Sequence, residues 1–186
     1  MSIYVKIGSK FQSFVSIIIL VILLYGGYTY FSGLRMQEAP QVGKLLPSIP
    51  VVSLERQRVL FDSVIDRKCV LIFFSVSCPP CRQEIVSLNM LYPEFKDSLR
   101  IIAISLSSFS DTFRFIDIVG ISFPVFIDTA HTSAKVLHIN AVPTILFINN
   151  RGVLADYRTG EIDIRRLRSI ISNFVKLKED SIATSL

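Results

Sequence analysis

The chain has 186 residues, of which 51% are hydrophobic and 19% charged, and its formal net charge is +5. This composition is too apolar for a disordered protein and fits about one ordinary domain. No basic run is interleaved with aromatic residues, which argues against a nucleic-acid partner. Three cysteines are too few for a disulfide scaffold, but two of them form a close pair, which indicates redox chemistry or a metal site.

An uncharged apolar stretch covers residues 11–31. About 20 helical residues span the ~30 Å hydrocarbon core of a bilayer, so we expect a single transmembrane anchor preceded by a cytoplasmic segment at 1–10. A cleaved secretory signal is the alternative, although the apolar core is long for one and no A-x-A cleavage pattern follows it. Either interpretation places the rest of the chain outside the cytoplasm, where disulfides persist.

Residues 32–48 combine Gly, Pro and polar residues without periodicity, which predicts a linker before a domain at 49–178 and a tail at 179–186. Strands are predicted at 50–54, 70–76, 99–106, 124–127, 144–148 and 153–157, and helices at 79–95, 111–119, 133–137 and from Asp163 onward. An NNRG turn at 149–152 signals a hairpin. Apolar strands that alternate with helices predict an α/β fold, a mixed sheet covered on both faces.

The strongest motif is Cys78-Pro79-Pro80-Cys81, which stands where an apolar strand ends and a helix begins. A sulfur at the amino end of a helix faces unpaired N–H groups and the positive end of the helix dipole, which favours the nucleophilic thiolate. We therefore predict that Cys78 attacks a disulfide and that Cys81 resolves the mixed intermediate. The prolines fit because the first helical turn has no internal partners for its N–H groups. Half of a zinc site is the alternative, but no second C-x-x-C exists.

These features resemble the thioredoxin superfamily, and within it the membrane-anchored, extracytoplasmic TlpA/ResA-like thiol-disulfide oxidoreductases. The resemblance covers about residues 42–175 and rests on the C-P-P-C motif, on Glu84 three residues beyond it, and on the sequence Val142-Pro143-Thr144 before a strand. It implies a thioredoxin-like fold in which the proline matching Pro143 is cis and lies beside the dithiol. It also implies that the substrate binds at the backbone of Val142, at Pro143, and at the prolines of the motif, Pro79 and Pro80.

Two positions depart from the family pattern. Ser77 stands where most relatives have Trp, and Ile72 stands where thioredoxin has a buried acid. Because that proton acceptor is missing, we predict that Glu84 is catalytic and receives the proton of Cys81, as a similarly placed glutamate is thought to do in ResA-like proteins. A solvated glutamate favoured by the helix dipole is the alternative. Cys69, which opens the buried strand, is expected to be a small core residue.

The sequence therefore predicts a thiol-disulfide oxidoreductase anchored in the bacterial cytoplasmic membrane by one span, with its catalytic domain on the periplasmic side and acting as a reductant. The resemblance implies no cofactor. It implies exported thiol proteins, such as apocytochrome c, as partners, and a membrane thiol reductase as the electron donor. A copper or zinc chaperone that uses the same cysteines and a thiol peroxidase on the same fold are the alternatives.

Overall fold

The structure is a computed structural model that describes residues 9–33, 39–61 and 66–177, and the chain divides into two compact units, Met1–Gln37 and Glu38–Leu186. The first unit contains one helix, α1 (Ser9–Gly33). Its described side chains, at 15–27, are all exposed. Within the described ranges, the structure contains no helix with the length and apolarity needed to cross a bilayer. The anchor at 11–31 therefore stays a prediction.

The second unit is built on one seven-stranded mixed sheet, with the strand order β2-β1-β5-β4-β3-β6-β7. Its strands are β1 (Pro50–Val52), β2 (Arg58–Leu60), β3 (Cys69–Phe74), β4 (Arg100–Ser105), β5 (Val125–Ile127), β6 (Thr144–Ile148) and β7 (Leu154–Thr159). Its helices are α2 (Pro79–Phe95), α3 (Phe109–Val119), α4 (Thr132–Val136) and α5 (Ile164–Lys176). The parallel pairs β3–β4 and β4–β5 lie between antiparallel neighbours, so the predicted mixed α/β sheet is confirmed.

The central strand β3 is buried on both faces of the sheet. Successive side chains of a strand point to opposite faces, so Ile72 and Phe74 pack into a core with α2 and α5, while Leu71 and Phe73 pack into a second core that includes one residue of α4. A strand that is covered on both faces has no solvent-exposed side on which polar residues would be expected. This explains the uninterrupted apolar run in the sequence.

Two elements, α2 and β6, have the predicted bounds, whereas the first predicted strand, at 50–54, stops at Val52. The chain turns there because the N–H of Ser53 donates to the carbonyl of Gln57 at 2.8 Å and Arg56 takes a positive φ of 64°. The turn leads into β2, a strand that the sequence analysis did not predict. Its three residues are too few to show the alternation by which a strand is recognised.

The closing helix α5 begins where predicted, with Asp163 as its cap. The Asp163 carboxylate accepts from the N–H of Arg165 at 3.0 Å, which satisfies one of the unpaired donors of the first turn. The helical period of its sequence predicts one apolar face formed by Ile164, Leu167, Ile171 and Phe174, and the last three of these side chains are buried. The first, Ile164, is half-buried because it lies in the first turn, at the edge of that face.

The folded unit begins earlier than the predicted boundary at residue 49. Residues 43–46, which we call the N-terminal strap, pair with the start of β7. The N–H of Gly43 donates to the carbonyl of Leu154 at 2.8 Å, and the N–H of Leu154 donates to the carbonyl of Lys44 at 2.9 Å. The second half of the predicted linker therefore belongs to the domain. The tail predicted at 179–186 lies outside the described residues.

Candidate active site

Cys78 caps the amino end of α2, four residues after β3 ends. Its backbone is extended, with φ −93° and ψ 111°, and Pro79 and Pro80 occupy the first two helical positions. The N–H of Cys81 donates to the Sγ of Cys78 at 3.4 Å. The half-buried Cys78 sulfur thus lies at the helix terminus that the sequence predicted, and both cysteines are free thiols.

Cys81 lies one turn further along α2 and is fully buried. Burial raises the pKa of the Cys81 thiol well above the ordinary value for cysteine, and the contact with Cys78 acts in the same direction. The two sulfurs are therefore unequal, since Cys78 can be reached from solvent and Cys81 cannot. Reactivity of a cysteine depends on such access, and the roles of an attacking and a resolving cysteine stay a prediction.

The loop before β6 brings Val142 and Pro143 to the dithiol. The peptide bond between them is cis, as the family resemblance implies, and Pro143 is buried. The Cys78 thiol donates to the carbonyl of Val142, with the Sγ and the oxygen 3.7 Å apart. Pro79 and Pro80, which directly follow Cys78, are exposed. The structure therefore places all four residues that the resemblance assigns to substrate binding around the dithiol turn.

Glu84 is buried, with 1% of its surface exposed, so the alternative of a solvated glutamate is wrong. Its Oε2 accepts from the N–H of Ile162 at 2.8 Å, while its Oε1 has no hydrogen-bond partner among the residues that the structure describes. Burial raises the pKa of Glu84 to about 7; the Ile162 bond lowers it, and the nearby charge of Glu161 raises it further. Glu84 lies three residues from Cys81, on the same side of α2.

The helical periodicity of the α2 sequence indicates that Glu84 is buried. Cys81, Ile85, Leu88 and Leu91 are all buried and form one face of α2, and Glu84 falls within that face. A glutamate within an apolar face is placed for burial rather than for solvation. The segment that covers it, at Ile162, lies 78 residues further along the chain, so no local pattern could reveal the hydrogen bond.

Hydroxyl side chains connect α3 and β4 to the dithiol turn, and of these residues the sequence analysis singled out only Ser77. The buried hydroxyls of Thr112 and Ser105 lie 2.7 Å apart, and the Oγ of Ser105 accepts from the N–H of Ser107 at 3.2 Å. The Oγ of Ser107 lies 3.1 Å from that of Ser75, which lies 2.9 Å from that of Ser77. We call these five residues the hydroxyl chain. Its signal in the sequence is a group of serines directly after a buried strand.

Cys69 lies at the opposite end of β3 from the dithiol and is fully buried. Burial raises the pKa of its thiol, which opposes formation of the reactive thiolate. This placement agrees with the expectation of a core residue. Among the residues that the structure describes, no group of three or more His, Cys, Asp or Glu side chains is arranged to hold a metal ion.

The buried carboxyl of Glu84 predicts a pH-dependent stability. Its folded pKa of about 7 exceeds the ~4.3 of an unfolded glutamate, so the stability linked to its protonation is complete below pH ~4.3 and is lost as the pH rises to about 7. Glu84→Gln removes this loss. Between pH 5 and pH 8, the free energy of unfolding of the variant should therefore rise relative to that of the unaltered protein. Denaturant titrations at both pH values measure the difference.

The control for this experiment is Glu94→Gln, which removes a negative charge from an exposed position on the same helix. If Glu84→Gln and Glu94→Gln respond to pH in the same way relative to the unaltered protein, the carboxyl of Glu84 does not have the raised pKa described above.

The chain is similar to known proteins over most of its length. A sequence model of the AhpC/TSA family matches residues 42–157. The thiol-disulfide oxidoreductase ResA of Halalkalibacterium halodurans is 29% identical over 146 residues, which cover 77% of this chain and 83% of that protein. ResA of Bacillus anthracis is 28% identical over 149 residues, which cover 77% of this chain and 86% of that protein.

Among solved structures, the thioredoxin domain of a thiol-disulfide oxidoreductase from Bacteroides vulgatus superposes with a TM-score of 0.64. It is 20% identical, and the match covers 73% of this chain and 99% of that domain. At this identity the superposition establishes the fold. The family match spans more than half of the chain, from the N-terminal strap to β7. The chain therefore belongs to the AhpC/TSA family and is a thiol-disulfide oxidoreductase with a thioredoxin-like fold.

Proposed function

We propose that this oxidoreductase exchanges disulfides with exported protein substrates through Cys78 and Cys81, and that it acts as a reductant. The observation that carries the proposal is the pair of unequal sulfurs on the first turn of α2. Cys78 is half-buried, with the N–H of Cys81 directed at its sulfur from 3.4 Å, whereas Cys81 is fully buried behind it. Two sulfurs separated in this way can act in sequence on one substrate disulfide.

The reaction proceeds in two exchange steps. The Cys78 thiolate attacks one sulfur of the substrate disulfide, so that a bond forms between Cys78 and the substrate and the second substrate sulfur leaves as a thiolate. Cys81 then loses its proton and attacks the Sγ of Cys78, which releases the first substrate sulfur. Two electrons have passed to the substrate, and a Cys78–Cys81 disulfide remains.

Glu84 is proposed to receive the proton of Cys81 in the second step. Burial raises its pKa to about 7, so the carboxyl exchanges a proton near neutral pH, where a glutamate in water is fully ionised. Its Oε1 has no partner among the described residues and so has room to accept a proton. The ionised form is required for the transfer, which makes the second step faster as the pH rises through 7.

The substrate is proposed to bind as an extended segment across the dithiol turn. The carbonyl of Val142 lies 3.7 Å from the Cys78 sulfur and can accept a hydrogen bond from the backbone of an extended chain. Pro79 and Pro80 offer an exposed apolar surface next to Cys78. Such backbone recognition suits several exported thiol proteins, with apocytochrome c as one candidate and a membrane thiol reductase as the source of electrons.

The proposed direction follows from weak stabilisation of the reduced site. Pro79 and Pro80 have no N–H groups, which leaves the N–H of Cys81 as the described donor to the Cys78 sulfur. An ionised Glu84 would also oppose a second negative charge beside Cys81. A dithiol with few stabilising partners gives up its electrons readily, so the protein is proposed to reduce its substrates.

The first prediction concerns the roles of the two cysteines. Cys81→Ser should retain the attacking sulfur but lose the resolving one, so mixed disulfides with substrate proteins should accumulate; Cys78→Ser is the matched control and should trap none. In the reduced protein, alkylation followed by mass spectrometry should find Cys78 modified well before the buried Cys81. Loss of exchange in Cys81→Ser without any trapped partner would refute the assignment.

The second prediction concerns direction. Equilibration with glutathione buffers should give a reduction potential nearer the ~−270 mV of thioredoxin than the ~−120 mV of a strong periplasmic oxidant. A value near the upper figure would show that the protein oxidises its substrates. Stoichiometric retention of copper or zinc without turnover would favour the metal chaperone instead, and rapid consumption of peroxide would favour the thiol peroxidase.

The third prediction concerns location. The uncharged stretch at 11–31 is the basis for proposing an anchor with the dithiol domain on the periplasmic side of the cytoplasmic membrane. Protease added to intact spheroplasts should therefore digest the domain, while a cytoplasmic marker protein stays protected. Protection of the domain until the cells are lysed would contradict the proposed topology.

A further inference from the structure

The sheet ladder ends before the dithiol turn begins. Strands β3 and β4 pair in register up to Phe74 and Ser105. Two residues further along each strand direction, the N–H of Val76 donates to the side chain of Ser107 at 3.0 Å. A side-chain oxygen thus binds the backbone beyond the last residue pair of the two strands, and its removal would leave the ladder itself intact.

The N–H of Val76 belongs to the same peptide group as the carbonyl of Ser75, and the backbone of Ser75 contacts the dithiol. The carbonyl of Ser75 accepts from the N–H of Cys78 at 3.2 Å. Burial is the main cause of the raised pKa of the Cys81 thiol. A backbone hydrogen bond from Ser75 lowers this pKa and so favours the thiolate. The orientation of the Ser75 backbone therefore affects both the hydrogen bond to Cys78 and the pKa of Cys81.

The backbone of Ser107 is itself hydrogen-bonded to a buried side chain. Its N–H donates to the Oγ of Ser105, whose hydroxyl lies 2.7 Å from that of Thr112, and both of these side chains are fully buried. Its own Oγ lies 3.1 Å from the Oγ of Ser75. The hydroxyl chain therefore runs from the interior of α3 to the turn that carries the dithiol, with Ser107 as the member that contacts the turn at two points.

We propose that Ser107 is a positioning residue for the dithiol: its hydroxyl fixes the Ser75–Val76 backbone beneath the two cysteines and thereby favours the reduced form over the disulfide. The inference rests on the proposed function, since it needs Cys78 and Cys81 to be the reacting pair. The reduced sulfurs depend on noncovalent partners to hold their geometry, whereas the disulfide is fixed by its own covalent bond. Loss of the hydroxyl should therefore destabilise the dithiol more than the disulfide.

The test measures the dithiol–disulfide equilibrium of the full chain in glutathione buffers, with the oxidised fraction read by alkylation and mass spectrometry. Ser107→Ala should shift the equilibrium constant toward the disulfide by about fivefold to tenfold, and tenfold corresponds to a potential about 30 mV more negative. Ser107→Thr keeps the hydroxyl and should restore the unaltered value. Ser169→Ala, at an exposed position on α5, is the matched control and should leave the value unchanged.

Denaturant unfolding of the oxidised and reduced forms distinguishes positioning from a structural role alone. A structural role would destabilise both forms of Ser107→Ala equally and leave the potential unchanged, which would overturn the inference. If Ser107→Ala does not fold, Ser75→Ala removes the facing hydroxyl and should shift the equilibrium in the same direction; its failure to do so would also overturn the inference. If the unaltered protein forms no Cys78–Cys81 disulfide in oxidising buffer, the proposed function fails and this inference fails with it.

Discussion

The burial of β3 on both faces is the constraint on which the candidate site depends. All six of its residues are buried, so the strand cannot shift without opening two cores at once. Helix α2 is fixed in the same way by the apolar face that includes Leu88 and Leu91. The short turn between these two rigid elements carries Cys78, and its position is therefore set by packing on either side. A site held by packed elements keeps its geometry better than one carried on a free loop.

Burial also decides the acid–base properties of the site. Cys81 and Glu84 lie on the same side of α2, and burial raises the pKa of each. The proposed transfer of a proton from the thiol to the carboxylate would leave the net charge of this apolar region unchanged, so it would need no further ion to be desolvated. In the proposed mechanism the thiolate is the less favoured form, and its attack on the mixed disulfide consumes it. The covalent step would therefore drive an unfavourable proton transfer forward.

The parts of the fold that the sequence predicts are those fixed by local pattern. The apolar run of β3, the prolines that begin α2 and the cap at Asp163 each follow from neighbouring residues, and all three are found where expected. The strand β2 is too short to show a period. The contacts of Ser107 and of Glu84 join segments that are distant in sequence, so the residue types were visible but their partners were not.

The N-terminal strap has a consequence for how the domain meets other chains. Strand β7 is the last in the sheet, and an uncovered edge strand presents free N–H and C=O groups to which a strand of another molecule can add. The strap occupies the start of that edge, where the N–H and C=O of Leu154 are both bonded to it. A shortened chain that begins at Ile49 would lose this cover and gain a site for intermolecular sheet formation. The residues ahead of the first strand thus cover part of the edge at which two domains could pair.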